Sequence, residues 1–166
     1  FSILTMGYAI ITAPYWSSIT EAYERKDFDW IKISVKNIQK LWLFIPVALI
    51  IMVLLSEWFY EFWVGDKIKV GFFLTAAMAL FVLLITFNMI YVNFINGVGK
   101  IRLQLITGLI SITINIPLSI YFGKYLGWGS TGVMLSTCFC LGYAVILRPI
   151  QYYKIINNTA KGIWNK

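Results

Sequence analysis

The run LWLFIPVALIIMVLLSEWF, residues 41–59, is close to the length of about 20 mostly apolar residues that a helix needs to cross a bilayer core. It carries nothing polar before Ser56, so we expect it to face lipid over much of its surface. The chain contains four more apolar runs, at residues 1–19, 70–95, 103–122 and 131–150. The pattern predicts an all-α integral membrane fold with five transmembrane helices, and the short connections make neighbouring helices antiparallel.

The composition is that of a polytopic membrane protein. The 166 residues are 60% hydrophobic and 13% charged, with a mean hydropathy of +0.77, whereas soluble domains are about half apolar and a quarter charged. The first residue is Phe and no signal peptide precedes the first run, so we expect a piece of a longer chain. The sequence has no His, which excludes imidazole catalysis within it. Cys138 and Cys140, at i, i+2 spacing in an apolar run, are predicted to be packing residues, and no metal or cofactor is predicted.

The basic residues predict the orientation. Eleven of the fourteen Lys and Arg residues flank the same ends of the five runs, and the positive-inside rule makes those ends cytoplasmic. The tail, residues 151–166, is then cytoplasmic, while the first run starts outside, so at least one helix is expected upstream. The net charge of +7 is interpreted as a topology signal whose partners are anionic membrane lipids, not nucleic acid.

The stretch APYWSSITEAYERKDF closes the first run. Pro14 removes a backbone hydrogen bond and is predicted to act as a hinge, with Tyr15 and Trp16 at the headgroup level. The hydroxyls of Ser17, Ser18 and Thr20 are predicted to satisfy the carbonyls that the proline frees.

An amphipathic helix is predicted at residues 27–40, capped by Asp27 or Asp29. One face carries lysines and the other is apolar, which indicates a linker on the cytoplasmic membrane surface. It is either a lipid-surface linker with snorkelling lysines or a receiver for an anionic substrate. The lysine face comprises Lys32, Lys36 and Lys40, and the apolar face comprises Ile31, Val35, Ile38 and Trp42.

Three of the runs carry stripes of small and polar residues. Such a stripe indicates either a close helix contact or the lining of a cavity, and both interpretations stay open. Pro117 interrupts the second stripe and is predicted to be another hinge. No acidic residue falls in the middle of a run. The stripes are Thr86, Asn93 and Gly97, with Asn88 and Asn96 nearby; Gln104, Gly108, Ser111, Asn115 and Ser119; and Gly132, Ser136, Cys140 and Tyr143.

Four segments carry a resemblance to a known family: PYWSSITEAYERKDFDWI, NFINGVGKIRLQ, INIPLSIYFGKYLGWGSTGV and PIQYYKIINNTAKGIWNK. Over its whole length the chain resembles the C-terminal half of bacterial polysaccharide (O-antigen, Wzx-type) flippases of the multidrug/oligosaccharidyl-lipid/polysaccharide exporter superfamily. The resemblance implies the last five helices of a twelve- or fourteen-helix transporter in the bacterial cytoplasmic membrane, with the N-terminal half as its partner. It also implies that two bundles rock about a central cavity to flip an undecaprenyl-diphosphate-linked oligosaccharide.

On this hypothesis the substrate meets a cationic mouth and a neutral cavity. An ion-coupled multidrug antiporter of the same superfamily is the main alternative, and a peptidoglycan-precursor flippase is a close one. A membrane enzyme of glycan assembly is disfavoured because no catalytic base and nucleophile pair is evident. The mouth residues are Arg25, Lys36, Lys40, Lys100 and Arg102, and the cavity residues are Asn93, Gln104, Ser111 and Asn115.

Overall fold

The structure is a computed structural model that describes residues 1–64 and 71–165, and the side chains at 63 and 64 are not described. The charge distribution discussed above includes Asp66, Lys67, Lys69 and Lys166, and these four lie outside the described residues. Every regular element in the described part is helical. The elements are α1 (Ser2–Glu24), α2 (Phe28–Trp42), α3 (Phe44–Leu54), α4 (Ser56–Val64), α5 (Phe72–Gly97), α6 (Arg102–Ile120), a π-helical turn (Tyr121–Tyr125), α7 (Gly129–Ile156) and a 3₁₀ turn (Gly162–Asn165).

Four helical segments are long and apolar enough to cross a membrane, so the all-α class is confirmed for the described residues and four candidate membrane helices are found. They are Phe28–Leu54, Phe72–Gly97, Arg102–Tyr125 and Gly129–Ile156. The fifth span, predicted at residues 1–19, is not confirmed, because α1 is not among them. The physical reason is visible on α1 itself. Its large exposed side chains as far as Ile11 are apolar, whereas those that follow include Ser17, Glu21 and Glu24.

Helix α5 lies at the centre and packs against α1, α2, α3 and α7, while α6 packs against α7. The hydrogen bonds give the relative directions. Asn93 on α5 reaches Thr12 on α1, and Gly97 further along α5 accepts from Thr20 further along α1, so these two helices are parallel. Cys138 contacts Ala77 at the start of α5, and Tyr152 packs on Phe94 near its end, so α7 is parallel to α5 as well.

The intervening helices run the other way, as the short connections predict. The indole of Trp42 donates to Thr86 at 3.1 Å, and Gln39, earlier in α2, donates to Tyr91, later in α5. Helix α6 is likewise antiparallel to α7, as the pairs that join them show in the next section. Neighbouring helices therefore alternate in direction along the chain.

The amphipathic segment differs from its prediction. Leu43, between α2 and α3, has helical backbone angles (φ −60°, ψ −20°), so α2 continues into α3 and packs along α5. The separate linker predicted at residues 27–40 is therefore not confirmed. The apolar side chains of Ile31, Val35 and Ile38 are at most 1% exposed, because they pack into the protein core. The predicted cap is confirmed at Asp27, whose side chain accepts from the Trp30 N–H at 3.0 Å.

The exposed surface divides into an apolar zone and a zone that we call the basic end. Before Leu43 the exposed face of α2 carries lysines, and from Leu43 onward the exposed face of α3 is apolar. The boundary lies at matching heights on α1 (Ile11) and α5 (Tyr91), since Thr12 pairs with Asn93 and Gln39 with Tyr91. The basic end comprises residues 12–40, 92–104 and 151–165.

The basic end holds much of the buried core. The helices continue beyond the apolar zone and pack there as a small water-soluble protein would, with apolar side chains inward and charges outward. The apolar zone is about 27 Å thick along residues 105–122, which is close to the thickness of a hydrocarbon core. The buried apolar residues at the basic end include Ile19, Ile31, Val35, Ile38, Phe94, Ile95, Ile155 and Ile156.

The start of α7 packs tightly against the π-helical turn. A Cβ atom at Gly132 would lie 2.6 Å from the carbonyl carbon and oxygen of Phe122 and 2.8 Å from the Gly123 nitrogen. Pro117, the predicted hinge, lies inside α6 one turn before the π-helical residues begin. The junction of α6 and α7 therefore combines an interrupted helix with a backbone contact that only glycine permits.

Candidate functional site

The stripe on α6 meets the stripe on α7 along a line that we call the α6–α7 seam, residues 104–119 and 136–143. The Tyr143 hydroxyl donates to the Thr107 carbonyl at 2.5 Å and also pairs with the Ser111 hydroxyl. Nearer the other end, Asn115 Nδ2 is 3.4 Å from the Thr137 hydroxyl. These bonds, with that between Ser119 and Ser136, favour the helix-contact interpretation for this part of the stripe.

Beside the seam lies an open groove of about 290 Å³. Its polar lining consists of hydroxyl, amide and thiol groups, and none of the described residues that line it is charged. Ser111 and Asn115, both predicted to line a cavity, therefore bond to α7 and face the groove as well. The lining residues are Ser111, Ile112, Asn115, Ile116, Thr137, Cys140 and Leu141.

Towards the basic end the seam is looser. Gln104 Oε1 is buried and has no hydrogen-bond partner among the described residues. A Cβ atom at Gly108 would meet nothing within 4 Å, so this glycine does not mark a close helix approach. The α6 stripe is thus packed at Ser119 and has free space at Gly108. Gln104, where the seam meets the basic end, carries the unsatisfied amide oxygen.

Asn93, also predicted to line the cavity, lies outside the α6–α7 seam. Its amide is 3.5 Å from the Thr12 carbonyl on α1, so the structure does not bring it to the groove beside α6. The rest of its stripe also makes helix contacts. The Gly97 carbonyl accepts from Thr20 at 2.9 Å, a Cβ there would lie 3.1 Å from the Trp16 carbonyl, and Thr86 bonds to Trp42. On α5 the stripe is a packing face.

A group of side chains joins Lys100 to residues near the end of α7 and beyond it. We call this group the tail clasp, and it comprises Lys100, Gln151, Lys154, Trp164 and Asn165. The Lys100 ammonium donates to Asn165 Oδ1 and lies 5.4 Å from the Tyr23 ring centre. The buried Gln151 amide donates to the Lys100 carbonyl at 3.0 Å and to the Trp164 carbonyl at 3.4 Å. Lys154 stacks over the Trp164 ring at 4.1 Å. The tail is therefore fastened to the turn between α5 and α6.

Sequence reasoning missed the clasp. A glutamine near a helix end gives no sign of burial, and Trp164 and Asn165 lie far from Lys100 in the chain. The signal available in the sequence was that Lys154 and Lys161 lie between Gln151 and Trp164.

The other basic residues at the predicted mouth differ in their partners. Arg25 pairs with Glu21 at 2.5 Å on the exposed end of α1. Lys36, Lys40 and Arg102 are exposed, and none of them makes a hydrogen bond or ion pair with another described residue. They are the mouth residues that remain free to bind an anion.

The serines beside Pro14 do not do what we predicted. Pro14 frees the carbonyl of Ile10, but Ser17 and Ser18 each donate to the Pro14 carbonyl at 3.1 Å. A helical serine reaches only the carbonyl three or four residues before it, so neither can reach Ile10. Thr20 donates to Trp16 and to Gly97, and α1 remains one helix through the proline.

The two cysteines are buried, which agrees with their predicted role as packing residues. They face different neighbours. Cys138 contacts the Ala77 carbonyl on α5 at 3.7 Å, and the Cys140 carbonyl accepts from Ser111 on α6. This separation follows from the i, i+2 spacing on a helix.

Comparisons with protein-family models, with curated proteins and with solved structures found no match. The class is therefore defined by the fold: an all-α protein with four candidate membrane-spanning helices. Its distinguishing features are an uncharged polar groove at the α6–α7 seam and a basic end.

Proposed function

We propose that this chain is part of a membrane transporter that flips an undecaprenyl-diphosphate-linked oligosaccharide across the bacterial cytoplasmic membrane for surface polysaccharide synthesis. The observation that carries the proposal is the groove beside the α6–α7 seam. Its hydroxyl, amide and thiol groups can exchange hydrogen bonds with sugar hydroxyls, and the absence of charge in its described lining suits a neutral glycan.

The basic end supplies cationic groups for the diphosphate of the proposed substrate. A diphosphate needs cationic partners at the membrane boundary, and charge-assisted hydrogen bonds from Lys and Arg are the strong ones. Lys36, Lys40 and Arg102 are unpaired among the described residues and lie at that end. Arg25 and Lys100 complete the proposed mouth, but each must first leave its present partner.

The test begins with deletion of the full gene. We expect loss of surface glycan, with lipid-linked repeat units accumulating in the inner leaflet, and restoration by the wild-type gene. Asn115→Leu removes the amide from the groove and should restore glycan export poorly at equal membrane abundance. Thr113→Val is the matched control, because Thr113 lies on the same helix, is exposed and bonds within α6 to Leu109.

Charge reversal tests the mouth. Lys40→Glu or Arg102→Glu should reduce glycan export, and unchanged export in both would contradict the mouth assignment. A deletion strain that keeps its surface glycan but becomes sensitive to drugs would replace the flippase proposal with the multidrug antiporter.

A further inference from the structure

The exposed face of the continuous α2–α3 helix carries two lysines followed by an apolar ridge. Lys36 and Lys40 are one helical turn apart, and intervals of three or four residues place the ridge on the same face. The ridge residues are between 51% and 75% exposed, although they are all large and apolar. We call this surface the lysine–ridge face. Its ridge consists of Leu43, Val47, Ile50, Ile51 and Leu54.

The charge of this face is not compensated within the described chain. Lys32, one turn before Lys36, pairs with Asp29 at 3.0 Å. Asp29 is also the acidic residue on this face of α2, and it lies seven residues, or about 10 Å, from Lys36 along the helix. Lys36 and Lys40 keep their full charge, whereas the charge of Lys32 is largely balanced.

The height of the two lysines matches that of a lipid headgroup. Lys40 is three residues, or about 4.5 Å, from Leu43, where the exposed surface becomes apolar. A lysine side chain at such a boundary extends its ammonium group towards the polar side. The phosphate of a glycerophospholipid lies at the same level, directly above its acyl chains.

We propose that Lys36 and Lys40 together bind the phosphate of an anionic glycerophospholipid whose acyl chains lie along the ridge from Leu43 to Leu54. The ridge favours a lipid over a free phosphate ion. Two exposed ammonium groups alone, without buried donors, would hold a free ion weakly in water. This lipid is a resident of the bilayer, and it occupies these two lysines of the proposed mouth until the diphosphate of the transported substrate displaces it.

The experiment uses the purified full-length protein and native mass spectrometry, with titration of phosphatidylglycerol or phosphatidylcholine. We expect preferential binding of phosphatidylglycerol, and a five- to thirtyfold weaker first binding event in the variant Lys36→Gln/Lys40→Gln. Lys26→Gln/Lys161→Gln is the matched control, since it removes two exposed lysines outside the lysine–ridge face and has the same net charge. It should bind nearly as wild type does.

Three results would overturn the proposal: equal binding of the two lipids by wild type, an equal loss in the control variant, or full displacement of the lipid by excess glycerol 3-phosphate. The first two would show that no specific site exists, and the third would show a site for free phosphate. Thermal unfolding of each variant verifies that folding is retained. Because the readout is lipid binding, its failure leaves the flippase test unaffected.

Discussion

Replacing Gly132 by alanine should destabilise the protein strongly, because the new methyl group would collide with backbone. Its carbon would lie 2.6 Å from the Phe122 carbonyl carbon and oxygen and 2.8 Å from the Gly123 nitrogen, whereas non-bonded carbon atoms prefer about 3.5–4.0 Å. The deficit is about 1 Å, and no flexible side chain can move aside to relieve it. The π-helical turn must shift away from α7.

Overpacking of this kind typically costs about 1–3 kcal/mol. For a chain of this size, that corresponds to a fall of roughly 4–10 °C in the midpoint of thermal unfolding. The assay is tryptophan fluorescence of the purified protein in detergent during heating, with size-exclusion chromatography to check that it remains monodisperse.

Gly142→Ala is the matched control. Gly142 lies in the same helix, and a Cβ atom there would meet nothing within 4 Å. Because alanine favours helix over glycine by up to about 1 kcal/mol, the control midpoint should stay level or rise. A Gly132→Ala midpoint within 1 °C of wild type, or an equal fall in the control, would refute the packing of α7 on the π-helical turn.

Three other substitutions test separate contacts. Tyr143→Phe removes the hydroxyl that joins Ser111 and the Thr107 carbonyl, and should lower stability by about 1 kcal/mol in the same unfolding assay, whereas Tyr125→Phe, at an exposed site, should not. Gln151→Leu leaves the Lys100 and Trp164 carbonyls without their donor, so protease should remove a C-terminal tag faster than it does from wild type. Asn157→Leu is the control, and equal cleavage of the two variants would contradict the tail clasp. Trp42→Phe should cost about 1 kcal/mol by loss of its bond to Thr86, and an equal effect of Trp30→Phe would contradict that bond.

Much of the candidate site could be named from periodicity, but its partners could not. Ser111, Asn115 and Ser119 recur at helical spacing, which establishes that they share a face of α6. That α7 covers this face, and that a groove remains beside it, depends on how two helices cross. Gly108 belongs to the same stripe yet lies at open space, since spacing alone does not report the distance to a neighbouring helix.

Because spacing does not report which neighbour covers a helix face, the prediction for α2 differed from the structure and the contacts of Lys100 were missed. The apolar stripe of α2 was recognised from its period, but a period does not tell whether lipid or protein covers a face. In the fold, α2 packs against α1 and α5 and buries Ile31, Val35 and Ile38, so protein covers this face. Lys100 was recognised as basic, but its engagement by Asn165 required the tail to fold back.

The sequence by itself determined the all-α class, four candidate membrane helices, their alternating direction and the gathering of basic residues at one end. These properties follow from local quantities: the length of an apolar run, the length of a connection and the charge beside it. Tertiary structure decided which polar stripe faces a groove, which lysines keep a free charge and where glycine is indispensable. Those outcomes depend on distances between helices, and such distances are set by the packing of all their faces together.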